Sequence, residues 1–411
     1  MQKKLIALAV AGLSTAAFAQ TNVTIYGVAD VSAQGTNMSQ GVNPSTKPSG
    51  GSFNMKSNSS LIGFKGTEDL GNGLKGLFQI ETNVNMTGQS SGQGAAANTT
   101  NSNFSSLRDT FVGANSKYGT VMGGYLSTPY RSALVSFDVM PGATGDARIE
   151  TMMGTQRVNK NGLVYTAGSS VRATAIAYAL PTMYGFDGSI AYTGSNNNGN
   201  NENNPSTGNN NMYSALSTQI GWTGYGVNIK GAFQQAKLMG STAAVSTTVP
   251  TTGLAISQTP ANAYTSYLIG ASYTGLPGLK ASVVYNRNTL GANTAVVGGT
   301  TANPVVSDAN KGSNNQIYAG VSYRFGNNEP RLTYQNSSNT SFNGASANDG
   351  ATLWGANWGY YLSKRTQVYG IVSTIKNNQN GTVNMASGGT SLVPTGGQVI
   401  TTYGAGLRTN F

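Results

Sequence analysis

The stretch Glu68–Gly76, EDLGNGLKG, places Gly71, Gly73 and Gly76 at the spacing G-x-G-x-x-G. That spacing cradles a dinucleotide pyrophosphate when it follows a buried strand and opens a helix whose N-terminal amides face the phosphate. The helix is missing here. Leu74, Phe78, Ile80, Val84 and Met86 fall on one parity, and Lys75, Gln79, Glu81, Asn83 and Asn85 on the other. A period of two describes a strand with one apolar and one polar face. Gly71-Asn72-Gly73 is then a tight turn between strands, because Gly and Asn tolerate positive φ. No dinucleotide is expected there.

Other chemistry is excluded by what the chain lacks. It has no Cys and no His. Thiolate nucleophiles, zinc–cysteine sites, Ser-His-Asp triads and most imidazole metal sites disappear together. No enzyme activity, metal or cofactor is expected. The groups left to act are arginines, lysines and carboxylates, and their work is electrostatic.

The elements that carry them start after a leader. Lys3 and Lys4 precede an apolar run from Leu5, which ends in Ala17-Phe18-Ala19. This is the order of a secretory signal peptide over residues 1–19, with cleavage before Gln20. The run is too short to cross a membrane, and no stretch of ~18 apolar residues follows it. Loss of Lys3 and Lys4 takes the formal charge from +11 to +9. An exported chain is not expected to meet nucleic acid; an anionic solute or a lipopolysaccharide surface suits its charge.

Alternation recurs through residues 20–411. Val23, Ile25, Ala29 and Val31 oppose Asn22, Thr24, Asp30 and Ser32, and Ile317, Ala319, Val321, Tyr323 and Phe325 oppose Gln316, Ser322 and Arg324. Trp354, Ala356, Trp358, Tyr360 and Leu362 share a face, as do Val399, Tyr403, Leu407 and Phe411. Sixteen strands are expected, starting near 22, 54, 74, 104, 120, 171, 186, 212, 225, 263, 279, 315, 331, 351, 366 and 398. Short turns alternate with long loops, the longest of them over 128–170. That asymmetry predicts an all-β, 16-stranded antiparallel transmembrane β-barrel, with apolar parity towards lipid and polar parity towards water. A soluble β-sandwich such as an adhesin would instead bury the apolar parity in a core. No repeat of fixed length supports a solenoid.

The segments NVTIYGVADV, GFKGTEDLGNGLKGLFQIE, LRDTFVGANSKYGTV, SIAYTG, YYLSKRTQVYG and GLRTNF resemble the trimeric porins of β- and γ-proteobacterial outer membranes. The resemblance runs the length of the mature chain. It implies a homotrimer, a third loop folded into the lumen, and wall arginines facing acids on that loop. It also implies that Phe411 belongs to the signal read by the barrel-assembly machinery. The expected function is passive diffusion of small hydrophilic solutes and ions, with mild anion preference. A channel specific for an organic anion, or a barrel with adhesin-type loops, are the alternatives.

The expected pore-lining residues follow. Arg108 matches a wall arginine, and parity with Phe111 on the lipid side turns it to the lumen. Arg172 matches the arginine before the sixth strand. Lys65 and Lys75 flank the opening turn on polar parity. The 128–170 loop brings Asp138, Asp146, Glu150 and Arg157. Two positions depart from the family pattern: Leu61 and Tyr125 stand where arginines are usual. Both are expected to line a partly apolar path.

Overall fold

The computed structural model describes residues 22–39, 41, 50–87, 104–140, 147–153, 155–160, 163–168, 170–194, 211–239, 264–291, 293–300, 303–309, 312–342, 344–385, 394 and 396–411. The expected leader, residues 1–19, lies outside them.

The alternating segments form the staves of one closed antiparallel barrel of 16 strands. They are β1 (Asn22–Met38), β2 (Gly50–Ser57 and Leu61–Gly71), β3 (Leu74–Val84), β4 (Phe104–Leu107 and Thr110–Ser116), β5 (Gly119–Ser127), β6 (Arg172–Ala179), β7 (Phe186–Thr193) and β8 (Asn211–Gly224). They continue with β9 (Val227–Met239), β10 (Tyr264–Tyr273), β11 (Leu279–Leu290), β12 (Gly312–Tyr323), β13 (Asn328–Ser337), β14 (Ala351–Tyr361), β15 (Thr366–Asn377) and β16 (Val399–Asn410). Each stave pairs with its neighbours in sequence. The last pairs with the first, from Val28 opposite Asn410 to Met38 opposite Ile400. Closure leaves no unpaired edge, which lipid would not tolerate.

Register fixes which face each side chain takes. On β14, Trp354 and Trp358 are exposed on the outer face, while Leu353 and Asn357 are buried inside. Tyr323, Phe325 and Trp358 form a contiguous aromatic group near one rim, with ring centroids 5.9 and 6.4 Å apart. Such aromatics suit a membrane interface. The Gly71-Asn72-Gly73 turn joins β2 to β3 with φ of 84°, 53° and 76°, as the strand reading requires. This turn, the other short turns and both ends of the barrel chain share one end, the periplasmic end of an outer-membrane barrel. Phe411 closes that end. Its backbone exchanges hydrogen bonds with Gly27, 3.0 and 3.1 Å. Its ring lies where a Cβ on Gly27 would stand, 2.3 Å from Cζ.

The long segment after β5 contains structure that strand periodicity did not reveal. Helix α1 (Pro129–Ser136) is capped by the Thr128 hydroxyl, which accepts from the Arg131 N–H, and has Pro at its start. A 3-10 turn follows over Ile149–Thr151, then a hairpin pairing Thr155–Lys160 with Leu163–Gly168. A second hairpin pairs Asn293–Thr300 with Asn303–Ala309 between β11 and β12.

Helix α1 and the 3-10 turn fold into the barrel. Tyr130, Leu134, Phe137, Ile149 and Met153 bury themselves against Ala232, Leu268, Val284 and Tyr318 of the wall. Met140, Ala147 and Met152 pack against Leu353, Ile375, Met385 and Ile400. This core lies inside the barrel, where the inward loop packs against β8 to β12, β14 to β16 and the end of β1.

Candidate functional site: a charged constriction

Three ion-paired groups gather where β3 to β6 meet the loop. Arg108 sits at a break in β4, between Leu107 and Thr110. Its guanidinium pairs with Glu81 of β3, its Nη1 donates to Asn83 Oδ1 at 3.1 Å, and its backbone N–H donates to the Glu81 carbonyl at 2.9 Å. Arg172, at the start of β6 on the parity of Thr174 and exposed Ile176, donates from Nε to Asp109 Oδ1 at 3.1 Å. Asp109 also accepts from the Ser127 backbone N–H at 2.6 Å and hydroxyl at 3.1 Å. On the loop, Glu150 pairs with Arg131 and lies 3.6 Å from Arg148. Ser170 bridges the two partners, accepting from Arg131 Nη1 at 2.8 Å and donating to Glu150.

These groups share one electrostatic neighbourhood. Burial pushes the Arg131 pKa below its ordinary value, and the positive charges of Arg172, Arg148 and Arg108 push it further. An arginine remains charged under that pressure. The arginines of wall and loop thus crowd together around Glu81, Asp109 and Glu150.

The resemblance implied wall arginines facing loop acids. The observed pairing differs: wall arginines take wall acids, and the loop glutamate takes loop arginines. Glu81 and Asp109 were not among the expected site residues. Glu81 had been placed on the polar parity, but a carboxylate partner for Arg108 needs the register between β3 and β4, which pattern alone does not supply.

Other expectations change with geometry. Phe111 does not face lipid. It pairs with Gln79 on the lumen face, and Val112, 68% exposed, points outwards instead. Leu107 and Val112 are both on the outer face, five residues apart. The break at Arg108–Asp109 therefore slips the alternation by one residue. Tyr125 is not pore-lining. It pairs with Thr110 and Thr174 on the face that carries exposed Val121 and Ile176. The inward residues of β5 are Met122, Gly124 and Leu126. Leu61 does face the lumen, opposite Asn83, the neighbour that holds Arg108.

Lys65 is exposed on the lumen face, its Nζ 5.2 Å from the centre of the Tyr26 ring. Among the described residues no carboxylate lies within ion-pair distance of it. Lys75 has lumen parity but stands opposite Asn115, next to the periplasmic turn and away from the arginines. Asp138 faces the far wall. It accepts from the N–H groups of Met140 and Ile149 at 3.0 and 3.1 Å and from the Tyr318 hydroxyl at 3.3 Å. Desolvation raises its pKa to about 6. It anchors the loop rather than lining the path. Arg157 lies on the loop hairpin opposite Thr166. Asp146 falls outside the described residues.

Paired charges beside an inward loop, on a closed barrel, are chemistry for passage and not for bond making. The comparisons agree with that architecture. The Gram-negative porin family model matches residues 5–380. The major outer membrane protein P.IB of Neisseria gonorrhoeae is 28% identical over 201 residues, 49% of this chain and 51% of that protein. The chain thus spans about half the length of the first such relatives. A P.IB protein of Neisseria meningitidis serogroup B is 25% identical over 417 residues, covering 100% of both chains. Among solved structures, the anion-selective porin from Comamonas acidovorans superposes with a TM-score of 0.66 at 19% identity, over 95% of this chain and 100% of that one. Salmonella typhi OmpF superposes at 0.59, with 18% identity over 96% and 98%. With strand order, inward loop and a match over most of its length in accord, the chain belongs to the Gram-negative porin family.

Proposed function

We propose that this barrel is a passive diffusion channel through which small hydrophilic solutes and ions cross the outer membrane, with a mild preference for anions. One observation carries the preference. Lys65 is exposed on the lumen face with no carboxylate at ion-pair distance among the described residues. The positive excess acts between low-dielectric walls, where its field is strongest. The pairing of Arg108 and Arg172 with wall acids keeps that excess small, so the preference is mild. The anion selectivity named for the Comamonas porin accords with this reading.

The channel works as a homotrimer, delivered by a cleaved leader and inserted through the barrel-assembly machinery with Phe411 as part of the signal. Its outer face meets lipid and lipopolysaccharide. Purified protein in a planar bilayer under a KCl gradient tests the function: conductance steps in threes, with a chloride-favouring reversal potential, are expected. Absence of channels from folded protein would return the barrel to an adhesin role for its long loops.

A further inference from the structure

Beneath the arginines the lumen wall changes character. On the inward faces of β3 to β6, Leu77, Phe111, Met122 and Leu126 lie beside Ala175 and Ala177. Phe111 and Met122 pack against the buried group formed by Leu126 and the alanines. Leu77 and Met122 converge over Gly113: a Cβ there would stand 3.1 Å from Leu77 Cδ1 and 3.0 Å from Met122 Cγ. Leu77, Phe111 and Met122 remain half-buried, with open area on the lumen side.

The lumen face of a porin wall is ordinarily polar. An apolar surface held against water there is a feature to be explained. Its placement is specific. Leu126 adjoins Ser127, which donates to Asp109 beside Arg172, and Phe111 is two residues beyond Asp109. Lys65 stands level with Phe111, since both pair with Gln79. Lys75 stands at the lower end, opposite Asn115. Cations thus lie above, beside and below one apolar strip.

We infer that this strip selects organic anions with an apolar body: carboxylates bearing an aromatic or branched hydrocarbon group. The carboxylate passes from the arginines to Lys65 and then to Lys75, while the hydrocarbon slides over Phe111, Met122 and Leu77. An acetate ion uses only the cations. A benzoate ion also removes apolar area from water on the strip, and each methylene-sized contact favours it about fourfold. This inference rests on the channel reading above and narrows its substrate class.

The experiment compares reversal potentials in potassium benzoate and potassium acetate for the wild-type trimer and for Phe111→Ser and Met122→Ser. Serine is a normal lumen residue, and open channels in KCl establish that each variant is folded. The benzoate-to-acetate permeability ratio is expected to fall about 3- to 10-fold in the variants. Simple widening of the pore would favour the larger ion and move the ratio up. A ratio that rises or does not change overturns the strip. Absence of channels in KCl from folded wild-type protein would instead overturn the channel reading itself.

Discussion

Arg108 finds its carboxylate on the barrel wall: Glu81, on the adjacent strand, pairs with its guanidinium and offers its carbonyl to the Arg108 N–H at 2.9 Å. The cation is held twice by the same neighbour. Its charge is neutralised locally, which limits its pull on a passing anion.

Removing that neutralisation strengthens the preference. Glu81→Gln keeps the side-chain shape and frees the Arg108 charge. The chloride-to-potassium permeability ratio is expected to rise roughly two- to fivefold, because a charge lining a narrow pore acts on every passing ion. Reversal potentials in a KCl gradient check this.

Leu61→Arg acts in the same direction by addition. Leu61 faces the lumen opposite Asn83, so a new guanidinium there joins Arg108. The reversal potential is expected to move towards chloride. Tyr125→Ser provides the contrast. Tyr125 lies on the outer face with Val121 and Ile176, and its removal is expected to leave the reversal potential where it was.

The difference between Leu61 and Tyr125 shows how far pattern carries. Strand number, the tight Gly71–Gly73 turn and the outward faces of β12, β14 and β16 were all legible as a period of two. Pattern places Phe111 on the lipid side because a two-residue break at Arg108–Asp109 resets the parity, and nothing in composition marks such a break. Helix α1 lies inside a long segment without strand periodicity, where Thr128-Pro129 is its one helix-start signal. The ion pairs Arg108–Glu81 and Arg172–Asp109 join partners 27 and 63 residues apart, so only register brings them together.

Gly27 is a position where closure depends on a missing side chain. A methyl at Gly27 meets Phe411 Cζ at 2.3 Å and the Leu61 carbonyl oxygen at 2.7 Å. Gly27→Ala is expected to destabilise the barrel by ~1–3 kcal/mol through overpacking and displacement of the Phe411 ring. Loss of the heat-resistant folded band on gel electrophoresis at a lower temperature than wild type is the readout.

Asp138 ties loop anchorage to pH. Its pKa rises from 3.8 to about 6 through desolvation, against the opposing pull of the Met140 and Ile149 N–H groups, Arg148 and Lys280; the Tyr318 hydroxyl also faces it. A raised carboxyl pKa means the folded loop binds a proton that the released loop gives up. Its contribution is therefore full below pH ~4 and is lost as pH rises through 6, a change of about 3 kcal/mol at most. Wild-type melting temperature is expected to fall over that window relative to Asp138→Asn, measured by circular dichroism in detergent.

The excess of positive charge beside the path is most directly tested at Lys65. Lys65→Glu converts a cation with no carboxylate partner among the described residues into an acid, level with Phe111 and just below the arginines. Reversal potential under a KCl gradient is the measurement. A wild-type potential on the chloride side that moves towards potassium in Lys65→Glu is the predicted result. A wild-type potential on the potassium side, or one that ignores the substitution, would contradict the proposed origin of the anion preference.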